Sequence, residues 1–299
     1  MPARGSCNFL EKTLDSINLS SKLPSRLILI NDGIDHAIAD KILSKNKKYG
    51  FEIALTSNRG KGLVDALNTG LQESKSEFLA RIDNDDLANP MRFEEQVKLL
   101  KSDKEVGVVG SQVNYIDSQG IKLGVSNYPS GLVRAKDLIT GCCIAHPAVM
   151  YRRRAVIESG SYRKVIGRSG IDLAEDYDLW MRIIRNYKII NMIEPLTSYR
   201  QHNNQLSMLN LSFQQTSAIF IRALHSNGNE LVSEANLERA HIDLGVNLDK
   251  KYTIDLVRSR LGIRQSFRTW LLISTSYLNP VSPKFKILRI LIKILSIVD

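Results

Sequence analysis

The sequence predicts an α/β fold built on a mostly parallel sheet, followed by a helical C-terminal extension. Three observations predict it. Short apolar runs rich in Ile, Leu and Val alternate with segments whose apolar residues recur every three or four positions. Three of those runs end in polar turns rich in Asn, Asp and Gly. Beyond Leu206 the pattern is helical and repeats nothing upstream. Strands alternating with helices imply a parallel sheet with helices packed on it.

The elements follow in order. Leu10, Leu14 and Ile17 stand at helical spacing, and Arg26 to Ile30 reads as a buried strand ending at Asn31-Asp32-Gly33. Phe51 to Leu55 is a second strand that runs into Asn58-Arg59-Gly60-Lys61-Gly62, and Leu63, Leu67 and Leu71 mark the helix after it. Glu77 to Ile82 is a strand ending at Asp83-Asn84-Asp85-Asp86, and Pro90 starts a helix carrying Phe93, Val97 and Leu100. Shorter strands follow at Val106 to Val109, Val113 to Ile116 and Ala148 to Tyr151. A helix over about 173–186 and two strands, Lys188 to Ile193 and Leu196 to Arg200, close the α/β part. The spacing places a domain over residues 1–206 and a basic helical extension over 207–299.

With 299 residues and 43% hydrophobic side chains, the chain is large enough for a core and too apolar for disorder. Aromatic residues are only 7%, which leaves few base-stacking platforms, so nucleic-acid binding is disfavoured. Cys7, Cys142 and Cys143 form no disulfide framework and no CxxC spacing, which fits a reducing compartment. No apolar run reaches the ~18–20 residues of a membrane span, and the polar start does not resemble a signal peptide. A cytoplasmic protein is expected. The net charge of +10 is uneven: residues 1–200 hold 29 basic and 24 acidic side chains, residues 250–299 hold 10 and 2. The excess belongs to the tail.

In an open parallel sheet, ligands bind beyond the carboxyl ends of the strands. If the strands are neighbours, the three polar turns share one crevice. Asp83-Asn84-Asp85-Asp86 is the sharpest feature, because crowded carboxylates repel one another unless a cation or strong donors neutralise them. Hard cations such as Mg²⁺ and Mn²⁺ take oxygen ligands, often one or two carboxylates plus substrate phosphates. The plainer alternative is a solvated turn with Asp86 as a helix cap. Asp32 can equally be a turn residue beside Gly33. Gly60-Lys61-Gly62 lacks the ending of a P-loop, and Asp65 stands where a third glycine of GxGxxG would fall. Glu175-Asp176-Tyr177-Asp178 opens a helix, where acidic residues complement the dipole; a carboxylate there can also serve as a general base. Trp180 reads as core.

Taken in order, these motifs resemble a family 2 glycosyltransferase with the GT-A, Rossmann-like fold. The matching residues are Met1-Pro2, the helix from Phe9 to Ile17, Asn31-Asp32-Gly33, Asn58-Arg59-Gly60 with Ala66-Leu67-Asn68, and Asp83 to Asp86 as the DXD motif. His146-Pro147, Glu175 to Trp180 and Tyr199-Arg200-Gln201-His202 complete a series over about residues 1–206. The resemblance implies a nucleotide-diphosphate sugar donor and a divalent cation, Mn²⁺ or Mg²⁺. Pro2, Ala3, Asp32, Lys61, Asp83 and Asn84 would line the donor site, with Asp32 at the base and Asp83 near the ribose. Asp85 and His202 would hold the metal. Asp176 would be the catalytic base of an inverting transfer, with Glu175 beside it. Bacterial surface polysaccharide of the O-antigen type is the implied product, on a saccharide or lipid-linked saccharide acceptor.

Two departures stand out. Relatives usually begin with an apolar strand leading into Met-Pro-x-Tyr-Asn, whereas this chain starts at the Met and has Arg4 and Gly5 in place of Tyr and Asn, so a truncated first strand is expected. A catalytically impaired nucleotide- or glycan-binding relative therefore remains an alternative. A sugar-phosphate nucleotidylyltransferase is another, disfavoured because it would open with a Gly-rich, Arg-containing loop. The tail departs differently: Lys286, Arg289 and Lys293 form one stripe of an otherwise apolar helix, suited to the cytoplasmic face of the inner membrane or to packing on a partner.

Overall fold

The computed structural model describes residues 1–44, 46–164, 174–202, Ile221 and His225. The expected helical extension over 207–299 and its basic stripe lie outside the described residues, apart from Ile221 and His225. The chain divides into two compact units, Met1–Arg163 with Leu179–Gln205, and Lys164–Asp178 with Leu206–Asp299. Among the described residues no helix is long and apolar enough to cross a membrane.

The first unit opens with β1 (Pro2–Gly5), α1 (Leu10–Asn18), β2 (Arg26–Ile34), α2 (His36–Ser44), β3 (Glu52–Ser57) and α3 (Leu63–Glu73). β1, β2 and β3 form a parallel sheet in that order. The first strand spans four residues and β2 nine, with Pro2 opposite Ile30 and Ala3 opposite Asn31. α1 buries Leu10, Leu14 and Ile17, the spacing that predicted it. α3 buries Val64, Leu67 and Leu71, and begins at Gly62, whose φ of 87° favours glycine.

β4 (Phe78–Ala80), β5 (Leu87–Ala88) and α4 (Arg92–Ser102) come next, then β6 (Val106–Ile116), β7 (Lys122–Val125), β8 (Gly131–Val133), α5 (Ala135–Thr140), β9 (Met150–Arg152) and α6 (Arg153–Glu158). The last elements are α7 (Glu175–Ile183), which begins in the second unit, and β10 (Lys188–Arg200). A seven-stranded mixed sheet has the order β4-β9-β6-β10-β5, with β7 on β6 and β8 on β10. β4 therefore pairs antiparallel with β9, not with the β1–β3 sheet, so the strand-end turns arrive from two sheets.

β6 and β10 are each single strands where the sequence predicts two. β6 is buried without interruption from Val106 to Val113, as a strand covered on both faces must be. β10 runs parallel to it through Pro195, with ladder irregularities between Met192 and Thr197 that absorb the proline. Gly110 permits a close approach: a Cβ there would lie 2.2 Å from Asn191 Oδ1.

The buried face of α4 is partly polar. Gln96 is fully buried; its Nε2 donates to Val109 O at 3.1 Å and Ala148 O at 2.7 Å, and its Oε1 accepts from Arg92 Nε at 3.3 Å. Arg92, also fully buried, donates through Nη2 to Arg81 O and Val149 O. These two side chains fasten α4 to β6, to the Arg81 backbone and to the approach to β9. Gln96→Leu leaves buried carbonyls without donors, at about 1–3 kcal/mol for each unsatisfied group. The expected outcome is a lower urea midpoint with an unchanged m-value.

Candidate active site

The Asp83–Asp86 turn follows β4 and Arg81, and each carboxylate is set differently. Arg81 is buried and its Nη1 lies 2.6 Å from Asp83 Oδ2. Asn84 Nδ2 donates to Cys7 Sγ at 3.1 Å, joining the turn to the loop after β1. Asp85 Oδ2 lies 2.9 Å from His202 Nε2, and both side chains are 21% exposed. Asp86 is fully buried; its Oδ1 accepts the Arg200 N–H at 2.8 Å, and its Oδ2 is buried with no hydrogen-bond partner among the described residues.

Asp83, Asp85 and Asp86 offer oxygens within 4.8 Å of one another. Burial, and then the Asp83 charge, raises the Asp85 carboxyl above its ordinary range, against the His202 hydrogen bond that lowers it. Burial raises Asp86 further, and the charges of Asp83 and Asp85 add to it. Arg92 answers from behind: burial lowers its guanidinium to about 9, while Asp86 is the first of the charges that hold it up. Three carboxylates beside one imidazole, with one carboxylate oxygen buried and without a partner among the described residues, are a donor set that fits a hard divalent cation.

The other expected donor-site residues lie around β1 and the ends of β2 and β3. Pro2 and Ala3 are in β1, beside Ile30 and Asn31. Asp32 Oδ1 accepts from Asn58 Nδ2 at 2.7 Å and from Gly62 N at 3.2 Å, which ties the end of β2 to the loop before α3. Asn31 Oδ1 accepts the N–H groups of Gly33 and Ile34, so the local turn is built by Asn31 and not by Asp32. Lys61 is exposed, and its backbone N–H donates to Asp65 Oδ2 at 2.9 Å.

Glu175 and Asp176 lie in the first turn of α7, in the second unit. Glu175 is buried, and Asp176 is half-buried with Oδ1 accepting the Tyr177 N–H. In the same unit Asp178 is 3.2 Å from His225 Nε2. In the first unit His146 is buried, with Nε2 2.9 Å from Tyr162 Oη and its ring edge-on to the fully buried Trp180.

Sequence reasoning missed two parts of the site. Asp86 is not a helix cap: the residue before α4 is Met91, and Asp86 is enclosed by Arg200 and its acidic neighbours. Arg200 stood in the same tetrapeptide as His202, and the two-residue interval that puts both on one side of an extended chain was a usable signal.

The family model for "Glycosyl transferase family 2" matches residues 1–160. The chain belongs to glycosyltransferase family 2. Bifunctional glycosyltransferase pgtA of Dictyostelium discoideum is 26% identical over 246 residues, 70% of this chain but 32% of that protein. The O-antigen biosynthesis glycosyltransferase WbnJ of Escherichia coli is 28% identical over 218 residues, 72% of this chain and 83% of its own. An E. coli UDP-Gal:alpha-D-GlcNAc-diphosphoundecaprenol beta-1,3-galactosyltransferase is 26% identical over 179 residues, 60% and 63% of the two chains. Among solved structures, S. aureus TarS 1–349 in complex with UDP-GlcNAc matches with a TM-score of 0.64 at 13% identity, covering 92% of this chain and 85% of that one. Mannosyltransferase PcManGT from Pyrobaculum calidifontis, in complex with GDP-Man and Mn2+, matches with a TM-score of 0.54 at 12% identity over 99% and 82%. At such identities these structures establish the shared GT-A-type fold of this glycosyltransferase.

Its acidic turn has a pH signature. Asp86 keeps its proton to higher pH in the folded chain than in the unfolded one, whose carboxyl titrates near ~3.9. From there up to the raised folded value the native state binds more protons, so stability falls as pH rises. Asp86→Asn removes that loss and keeps an oxygen for the Arg200 N–H. In metal-free buffer, calorimetry from about pH 4 to about pH 7 is expected to show the Tm difference moving in the variant's favour, by about 2–4 °C for each kcal/mol.

Proposed function

We propose that this family 2 glycosyltransferase is an inverting, metal-dependent enzyme that moves a sugar from a nucleotide-diphosphate sugar to a hydroxyl of a lipid-linked saccharide in polysaccharide biosynthesis. The observation that carries the reading is the Asp83–Asp85–Asp86 cluster with His202 on Asp85. The names of the E. coli relatives support the acceptor class, and the nucleotide-sugar complexes of the structural neighbours support the donor class. The reading divides the chain into a catalytic domain over residues 1–206 and a basic helical extension over 207–299 that attaches to the cytoplasmic face of the membrane.

Each residue has a task on this reading. Asp32, its carboxylate oriented by Asn58 and Gly62, accepts from the base. Pro2, Ala3 and Asn84 flank the nucleotide, Asp83, aligned by Arg81, accepts from the ribose, and Lys61 supplies a cationic donor contact. Asp85 and His202 hold the cation. When bound, a divalent cation neutralises charge on the departing diphosphate as a Lewis acid and template. Asp176 takes the proton from the acceptor hydroxyl while that oxygen bonds to the anomeric carbon and the carbon–oxygen bond to the diphosphate breaks. Glu175 borders Asp176 in the same helical turn. No covalent enzyme intermediate is needed.

A screen of nucleotide sugars with and without Mn²⁺, run with an undecaprenyl-linked acceptor, tests the reading. Asp176→Ala is expected to lower kcat by ~10²–10⁴-fold, Asp85→Ala to abolish the response to Mn²⁺, and the product to carry the inverted anomeric configuration. Turnover indifferent to Mn²⁺ and to both substitutions sinks the proposal.

A further inference from the structure

Arg200 is 1% exposed, and its guanidinium donates to three backbone carbonyls among the described residues. Nε donates to Asp85 O at 2.8 Å, and Nη1 donates to Asp117 O at 2.9 Å and to Ser118 O at 3.2 Å. Its own N–H is the donor to Asp86 Oδ1. The guanidinium stands 4.4 Å above the Phe9 ring, and the same ring lies 5.6 Å from the His202 ring. One residue thus touches the backbone of Asp85, the carboxylate of Asp86, the turn between β6 and β7, and the aromatic surface against which His202 rests. A planar fork with several fixed donors can reach separate carbonyls at once; an ammonium on a flexible stem cannot.

We propose that Arg200 is a positioning residue for the cation site, holding Asp85 and His202 at the separation from which both can bind one ion. The inference rests on the cation reading above and extends it to a side chain that touches neither substrate nor metal. Asp85 leaves the sheet at a turn, and its side chain meets His202, 117 positions away in the sequence. Arg200 ties the Asp85 backbone from a position two residues before His202, on the same side of the extended chain. Groups that orient ligands in this way typically change metal affinity by 10–100-fold when removed.

The test is Mn²⁺ uptake by the intact chain in the presence of UDP, followed by the loss of the free-ion electron paramagnetic resonance signal, with no turnover involved. Arg200→Gln is expected to raise the Mn²⁺ half-saturation by ~10–100-fold, and Arg200→Lys, which keeps the charge but not the fork, to remain weakened. Arg152→Gln is the control for general loss of packing. Arg152 is also buried and donates to Leu100 O, Val106 O and Glu77, and its substitution is expected to lower Tm while leaving Mn²⁺ uptake as in wild type. Wild-type uptake with equal uptake by Arg200→Gln overturns the inference alone, as does an Arg152→Gln defect as large as that of Arg200→Gln. If Arg200→Gln does not fold, unchanged uptake by Arg200→Lys overturns it. A wild type that takes up no Mn²⁺ removes the cation reading and this inference together.

Discussion

Negative charge crowded into one short turn is the constraint that the surrounding structure answers. Asp83, Asp85 and Asp86 bring their oxygens within 4.8 Å of each other at the end of a strand, with Asp86 fully enclosed. Burial, and then the charges of the neighbouring carboxylates, push Asp85 and Asp86 toward the neutral form. The relief comes from three arginines that are themselves buried. Arg81 pairs with Asp83, Arg92 lies behind Asp86, and Arg200 brings a backbone N–H and a guanidinium from β10. Burying those cations is costly in turn, and the cost is offset in part where Arg92 Nη2 and Arg200 Nε and Nη1 donate to main-chain oxygens.

This arrangement explains why the site needs both sheets. The parallel sheet supplies β1 and the turn containing Asp32, held by Asn58 and Gly62. The mixed sheet supplies the acidic turn, through β4, and the Arg200–His202 segment, through β10. The link between Asn84 and Cys7 fastens one set to the other at the loop after β1.

What was legible in the sequence was local. Leu10, Leu14 and Ile17 announce α1 because a helix returns to the same face every three or four residues, and the run from Arg26 to Ile30 announces β2 because a covered strand is apolar throughout. The acidic turn, Asp32 and His202 were legible as motifs. The buried roles of Asp86, Gln96, Arg92 and Arg200 were not, because a polar residue looks the same in sequence whether water or a distant carbonyl satisfies it. Arg200 and Asp85 are 115 positions apart, and no local pattern encodes that meeting. Pro195 misled in the opposite sense, marking a break where the ladder absorbs the proline as an irregularity and continues.

That irregularity controls parity. Between the pairs Ile189 with Val108 and Arg200 with Ile116, β10 takes eleven steps while β6 takes eight, and the surplus is gathered between Met192 and Thr197. Side chains on a strand change face at every residue, so an odd surplus decides which of two neighbours looks toward the acidic turn. Here it is Arg200 that does so, while Tyr199 meets Tyr115 edge-on. Adding or removing one residue around Pro195 would exchange the two and present a phenol where the guanidinium fork now stands. A change of two would preserve the phase. The stretch is exposed at Ile193, yet its length helps set which side chain the ladder delivers to the acidic turn.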